Sequence, residues 1–182
     1  ASSGMVYGAP ITISETTVLR AAAFQGDWLE TNVDTQTYIF LDDVITQSPD
    51  GEAPGEGWPV AEVNGQVIDY GMDPDVVNDA RYATQMVDAL TAIPTISLVT
   101  DVGNLFDADT GIYVNAIKDG KEWERPTSVE LINPDESEGF QLNAGLRIRG
   151  GFSRRDFNPK HSFRLFFREE YGNGKLNFSL FG

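Results

Sequence analysis

Short runs of alternating hydrophobic and polar residues dominate the chain and predict a fold built mainly from β-strands. Six such runs predict strands, and they lie at residues 11–24, 35–41, 93–100, 126–133, 140–149 and 161–168. In the fifth run, Leu142, Leu146 and Ile148 fall on one face, as expected of a strand that buries one side. A seventh, shorter strand is predicted over residues 112–115.

Residues 42–65 break this pattern with a high density of Pro, Gly and acidic residues, which is a linker composition. Asp73 and Pro74 suit the cap and first turn of a helix, and a short helix is predicted over residues 80–90. The chain is therefore predicted to be mainly β with short helices (α+β). Its predicted parts are the end of a β-domain at 1–41, a linker with a short helix at 42–92 and a mostly antiparallel sheet at 93–182.

Charge is distributed unevenly along the 182 residues, whose formal net charge is -15. Eighteen acidic and only two basic residues precede Lys118, whereas the stretch from Arg147 to Lys175 holds eight basic and three acidic residues. The overall charge disfavours a nucleic-acid partner, because phosphate polyanions would be repelled. The cationic stretch nevertheless suits a small anion such as a nucleotide.

Two further absences limit the possible chemistry. The chain has no cysteine, which excludes disulfides, thiolate nucleophiles and zinc–thiolate sites. Its apolar runs are all shorter than the ~20 residues that a membrane-spanning helix needs, so no membrane-spanning segment is predicted.

The N-terminal strands resemble the last strands of the FN3-associated, chitobiase/β-hexosaminidase C-terminal type of domain. The resemblance rests on the pattern from Thr17 to Phe24, the turn at Gly26 and the strand from Thr31 to Tyr38. It implies a truncated β-sandwich module whose earlier strands precede Ala1. Such modules occur beside glycan-active domains, so the resemblance also implies a possible glycan contact.

Residues 93–182 resemble the opening of the CotH kinase family. The similarity is carried by IPTISLVTD at 93–101 and by LRIRGGFSRRDFNPKHSFRLFFR at 146–168, followed by YGNGKLNFSLFG. It implies the N-terminal, nucleotide-covering part of an atypical kinase-like domain that uses ATP and a divalent metal, Mg²⁺, to phosphorylate Ser or Thr of extracellular or coat proteins. It also implies an exported protein of the bacterial exterior or cell envelope.

In this family the catalytic and metal-binding aspartates lie further towards the C-terminus than Gly182. We therefore expect the chain to be an incomplete domain that holds no catalytic residue and is inactive alone, and the metal ligands stay unknown. The competing hypothesis is a non-catalytic adhesion or glycan-binding module of the cell envelope that uses a kinase-like scaffold, because a fold does not fix a function.

Five residues are predicted to bind the nucleotide, and each also has a purely structural interpretation. Arg147 and Arg149 project from one face of a strand and could clamp phosphates, or else pair with carboxylates of the facing strand, such as Glu130. The resemblance suggests that Lys160 or Arg164 holds phosphates, although both could be solvated charges on a sheet face. Ser153 belongs to the Gly150–Ser153 loop, which could approach a phosphate or simply form a tight turn.

His161, the single histidine, could in principle belong to a catalytic triad. It lies in a predicted strand beside cations, and the sequence offers no motif for the matching nucleophile. A structural role is therefore the better prediction.

Overall fold

Two antiparallel β-sheets form the frame of the protein, a small α+β fold, in a computed structural model that describes residues 4–180. The smaller sheet is a hairpin of β1 (Thr17–Ala21) and β2 (Asp34–Tyr38). In the larger sheet the strands are neighbours in chain order, and they are β3 (Thr95–Val99), β4 (Arg125–Ile132), β5 (Phe140–Arg149) and β6 (Ser162–Phe166).

The helices are all short. They are α1 (Leu41–Ile45), α2 (Pro74–Val77), α3 (Met86–Leu90) and α4 (Val102–Phe106), and 3₁₀ turns lie at Ala83–Gln85, Lys121–Trp123, Phe152–Arg154 and Glu169–Tyr171. In the described residues no helix is long and apolar enough to cross a membrane. The Asp73 carboxylate accepts a hydrogen bond from the Asp75 amide at 2.9 Å, which confirms the predicted helix cap.

The predicted strand at residues 112–115 is wrong, because this segment is a series of turns that folds back over α4. The amides of Ile112 and Tyr113 donate to the carbonyls of Asn104 and Leu105, both at 2.9 Å, so no strand partner takes these donors. Ile112 is only 2% exposed. Burial against the sheet, and not strand pairing, therefore explains the hydrophobic alternation in this segment.

The larger sheet has one apolar and one polar face, since its side chains alternate along each strand. The apolar face packs under α4 and the 112–117 turns. Its core contains Ile112, Ala116, Leu146 and Ile148, with Leu98, Leu105, Tyr113, Trp123 and Leu165 packed against them. On the opposite face the register aligns Ser97 with Glu130 and Glu130 with Gln141, so polar residues share a face that does not contribute to this core.

Polar contacts hold the β1–β2 hairpin against that polar face. The amide of Thr37 donates to a carboxylate oxygen of Glu130 at 2.8 Å, and its hydroxyl lies 2.7 Å from the hydroxyl of Ser97. Arg20 forms an exposed ion pair with Asp101 at 3.4 Å. The hairpin thus contacts the larger sheet through hydrogen bonds at a few positions.

Part of the segment with a linker composition packs against the larger sheet unit. The ring of Trp58 contacts those of Tyr70 and Phe106, with centroids 5.5 Å and 5.4 Å away. Gln66 is only 2% exposed, and the Val67 amide donates to the Asp156 carbonyl at 2.8 Å. Residues 58–70 therefore belong structurally to the C-terminal unit, and Trp58 is the anchor there.

The packing of the apolar face generates a stability prediction. Leu146→Ala should lower the free energy of unfolding by about 2–5 kcal/mol, because it empties part of a core in which Leu146 is 1% exposed. The matched control is Leu29→Ala, since Leu29 is 98% exposed and its truncation should change stability by less than about 0.5 kcal/mol. Denaturant unfolding followed by circular dichroism measures both, and equal effects would contradict the assigned core.

Candidate anion-binding pocket

Strand pairing at one end of the larger sheet gathers arginines on its polar face. The register places Arg147 directly opposite Arg164 and Arg149 opposite Ser162, so all four side chains share one face. Beside them lies a pocket of about 440 Å³. Its walls are formed by Asp119, Arg147, Ile148, Arg149, Gly150, Gly151, Arg154, Arg164 and Phe166.

Three of the five predicted site residues, Arg147, Arg149 and Arg164, meet in this pocket. Lys160 does not line it and is exposed, and its side chain makes no hydrogen bond or ion pair within the described residues. Ser153 also lies outside the lining, where its hydroxyl fills the space next to Gly150. The structural alternative, pairing with a carboxylate of the facing strand, does occur for Arg147, but the partner is Glu124 just before β4 and not Glu130, which accepts a hydrogen bond from the Thr37 amide.

Sequence reasoning missed Arg154, the fourth arginine of the pocket. The 3₁₀ turn Phe152–Arg154 directs its side chain back toward the 116–118 segment. Its guanidinium donates to the carbonyl of Ala116 at 2.5 Å and to that of Lys118. The adjacent arginines Arg154 and Arg155, in a loop that begins with two glycines, were the sequence signal for a further cation near the pocket. The periodicity of the sequence does not indicate which of the two side chains points toward the pocket.

The second missed residue is Glu124, whose side chain is 1% exposed and lies behind the pocket. Arg147 bonds to it at 2.7 Å and Arg168 at 2.9 Å, and the Tyr171 hydroxyl donates to it at 3.0 Å. Burial alone would raise the pKa of the Glu124 carboxyl. The hydrogen bonds from Arg168, Arg147 and Tyr171 outweigh burial and lower this pKa below its ordinary value.

Gly145, in the middle of β5, makes room for this carboxylate. A Cβ atom at position 145 would lie 2.5 Å from a carboxylate oxygen of Glu124, so a side chain there would displace the buried acid. A glycine inside a strand commonly marks such a close approach. Gly145 was therefore the sequence signal that could have indicated a buried group at this position.

Arg149 and Arg164 are the cations of the pocket that remain available to a ligand. Neither forms an ion pair with a carboxylate within residues 4–180, whereas Arg147 is paired with Glu124. The ring of Phe166 lies beneath the guanidiniums of Arg147, Arg168 and Arg164, at 4.3, 4.9 and 6.0 Å from its centroid. These cation–π contacts keep the charged groups near the pocket.

Gly150 and Gly151 form the rim of the pocket where β5 ends. Gly150 has a φ of 118°, a conformation that residues with a side chain rarely adopt, and a Cβ atom there would also collide with the Ser153 hydroxyl. The tight-turn interpretation of this glycine is therefore correct. The same turn places the glycine backbone in the pocket wall.

Chemically, the pocket favours an anionic ligand. Four guanidiniums and one carboxylate, that of Asp119, contribute to its walls, and guanidinium geometry matches phosphate and carboxylate oxygens. Its volume lies in the usual range for small-ligand sites. No group of three or more His, Asp or Glu side chains is placed to hold a metal ion within residues 4–180, so we derive no chemical step through a metal.

Comparisons of the chain with protein-family models, with curated proteins and with solved structures give no match.

The buried carboxylate generates a stability prediction. Glu124→Gln should destabilise the fold by about 3–5 kcal/mol, because it leaves the largely buried cation of Arg147 without its carboxylate partner. Glu122→Gln, two residues earlier and exposed, is the matched control and should have little effect. Chemical denaturation measures both variants, and a stable Glu124→Gln protein would show that the cluster contributes little.

The Glu124 carboxylate also predicts that the free energy of unfolding decreases at acidic pH. Its pKa is lower in the folded state than in the unfolded state, so its stabilising contribution is complete above pH 4.5, its ordinary pKa, and is lost as the pH falls through the folded-state value. Unfolding free energies measured between pH 3 and 6 should fall more steeply on acidification for the wild type than for Glu124→Gln. An equal dependence of the unfolding free energy on pH in the two proteins would contradict the lowered pKa of Glu124.

Tyr171 should ionise late in an alkaline titration. Burial, together with its hydrogen bond to the Glu124 carboxylate, raises the pKa of Tyr171 to about 12. A raised pKa favours the folded state up to pH 10, and this contribution is lost as the pH rises from 10 to about 12. Burial also raises the pKa of Tyr70 and Tyr113, so the ultraviolet absorbance of tyrosinate should show a late component that Tyr171→Phe reduces but does not abolish. An unchanged late component in Tyr171→Phe would contradict this assignment.

Proposed function

We propose that this chain contributes the nucleotide-binding part of an exported CotH-like protein kinase, and that the arginine pocket holds the phosphates of ATP. The observation that carries the proposal is the convergence of Arg147, Arg149 and Arg164 on one pocket. These arginines belong to the ordered motif on which the resemblance to the CotH kinase family rests. A cationic cradle for phosphates is also what phosphoryl transfer requires of its nucleotide site.

Two of the pocket arginines are the proposed phosphate ligands, and the other two are held in place by protein groups. Arg149 and Arg164 have guanidiniums without carboxylate partners in the described chain and are the proposed phosphate ligands. Arg147 is fixed by Glu124, and Arg154 is fixed by the Ala116 and Lys118 carbonyls, so both supply charge at set positions. We assign no phosphate contact to Lys160, because it lies outside the pocket lining.

ATP fits the chemistry of the pocket as an anion, and the divalent metal of the proposed kinase would balance further phosphate charge. The described residues offer the pocket a single carboxylate, that of Asp119. The proposal therefore assigns to this chain the binding of phosphate and not the holding of the metal. Phosphorylation of extracellular or coat proteins, and location in the cell envelope, are parts of the same proposal.

Binding of ATP and of inorganic triphosphate to the 182-residue chain tests the proposal by calorimetry. Arg149→Ala and Arg164→Ala should each weaken triphosphate binding by about 10- to 100-fold, because each removes a charge-assisted hydrogen bond worth about 1.5–3 kcal/mol. Higher salt should weaken binding further, since the pocket is partly open to solvent.

Two control variants separate the pocket from general surface charge. Arg155→Ala removes an exposed arginine of the same loop that is not in the pocket lining, and Lys160→Ala removes the predicted lysine. Both should leave the affinity within about twofold, because distant exposed charges are screened. Equal losses in all four variants, or no binding by the wild type, would contradict the proposal.

A second candidate function, glycan binding by a non-catalytic module, is favoured by a different cavity. A hollow of about 320 Å³ lies between the β1–β2 hairpin and the polar face of the larger sheet. Its walls include the side-chain amides of Asn32 and Asn143, which make no hydrogen bond to other described residues, and the ring of Tyr171. Free amides next to an aromatic ring suit the hydroxyls and apolar face of a sugar.

Asn143→Ala separates the two candidates, since Asn143 lines the hollow and not the arginine pocket. If the hollow binds glycans, saturation-transfer NMR with a panel of neutral mono- and disaccharides should show contacts with the wild type that Asn143→Ala loses. Triphosphate binding should be unchanged in this variant. Absence of any saccharide signal would remove the second candidate.

A further inference from the structure

Two exposed apolar surfaces lie on different parts of the protein. The first is the hairpin tip, residues 22–33, which connects β1 to β2. Trp28 and Leu29 are its most exposed apolar residues, at 76% and 98%. The base of the tip is closed by two hydrogen bonds between Ala23 and Thr31, at 2.9 and 3.1 Å, so the loop that presents these side chains has a defined shape.

The second surface is the aromatic patch, formed by Ile117, Phe152 and Phe157. The rings of Phe152 and Phe157 pack edge to face with their centroids 5.6 Å apart, and yet they stay 76% and 58% exposed. In the same loop the guanidinium of Arg154 donates to the carbonyls on either side of Ile117, which is itself 70% exposed. Neighbouring segments thus leave three large apolar side chains open to solvent, and exposed apolar patches commonly mark interaction sites.

The two surfaces lie in stretches of opposite charge. Residues 21–41, which include the hairpin tip, contain no basic residue and three acidic ones, which are Asp27, Glu30 and Asp34. Residues 147–164, which include both rings of the aromatic patch, contain six basic residues and one acidic residue, Asp156. Arg155 and Lys160 in this stretch are exposed. An acidic apolar surface therefore matches a basic apolar surface of the same chain.

We propose that the hairpin tip of one copy of the chain binds the aromatic patch of a second copy. Both surfaces are exposed within one copy, so neither covers the other there. Burial of Trp28 against the aromatic pair removes apolar area from water, and tryptophan is among the residue types that most often dominate such contacts. The proposal is independent of the phosphate-binding function, because none of these apolar side chains lines the arginine pocket.

The net charge of -15 opposes self-association, so the charges at the contact decide which surfaces meet. At physiological salt the Debye length is about 8 Å, which screens the distant charges of two copies more than those at the contact. Lys118 and Asp119, which follow Ile117, offset one another, and Arg155 and Lys160 give the patch its positive sign. Pairing of two hairpin tips is disfavoured, since like charges would meet.

Sedimentation equilibrium of the 182-residue chain over a series of concentrations tests the proposal. One loop from each copy makes a contact smaller than a standard interface, so we expect a dissociation constant of about 0.1 mM. Trp28→Ala should weaken association at least about tenfold, because it removes the central aromatic residue. Ile93→Ala is the matched control and should leave the constant unchanged, since Ile93 is 69% exposed but belongs to neither surface.

Exchange of charges separates a contact between unlike surfaces from non-specific association. One variant carries Asp27→Lys and Asp34→Lys, and the other carries Arg155→Glu and Lys160→Glu. Neither should self-associate, because its tip and its patch then have the same sign of charge. A mixture of the two should associate as the wild type does, because the unchanged patch of the first variant meets the unchanged tip of the second. A mixture that stays monomeric would overturn the proposal.

Paramagnetic labelling locates the contact, since the chain has no cysteine of its own. A nitroxide attached to Gln25→Cys, an exposed position of the hairpin tip, should broaden the amide signals of residues 117–118 and 152–157 in an isotope-labelled wild-type copy. Association with broadening only at other residues would overturn the assignment of the two surfaces. A wild type that stays monomeric well above the expected dissociation constant would overturn the whole proposal and leave the phosphate-binding function untouched.

Discussion

The buried carboxylate of Glu124 is the interaction on which the polar half of the larger sheet depends. It joins the start of β4 to Arg147 in β5 and to Arg168 and Tyr171 after β6, so three segments meet at one side chain. Removing two charges from water is costly, and the cost is offset only when the remaining donors and acceptors are matched. Here the described structure leaves no buried side-chain nitrogen or oxygen without a partner.

This arrangement has a direct effect on the neighbouring pocket. Glu124 neutralises the charge of Arg147. The repulsion between Arg147 and the neighbouring arginines of the sheet is therefore reduced. The ring of Phe166 spaces the guanidiniums, and the carbonyls of Ala116 and Lys118 orient Arg154. An acidic protein thus keeps a local cluster of arginines, in which Arg147 and Arg154 are held in place by other parts of the chain.

The sequence was sufficient to predict the larger sheet, since β3 to β6 lie where period-two alternation places them. Alternation also put Arg147 and Arg149 on one face. It failed at residues 112–115, because a turn that packs on a core buries the same residue types as a strand does. The position of Lys160 outside the pocket and the pairing of Glu124 with arginines depend on contacts between segments that are distant in sequence. The local spacing of residue types contains little information about such contacts.

The buried amide of Gln66 joins two parts of the chain that are far apart in sequence. Its side chain binds the Asn158 carbonyl, and the next residue, Val67, binds the Asp156 carbonyl through its backbone. Any shift of this short segment therefore acts on residues 156–158, the part of the loop that follows the turn carrying Arg154. A pull on the upstream chain would therefore act on this loop through two hydrogen bonds, neither of which belongs to the strand pairing of the larger sheet.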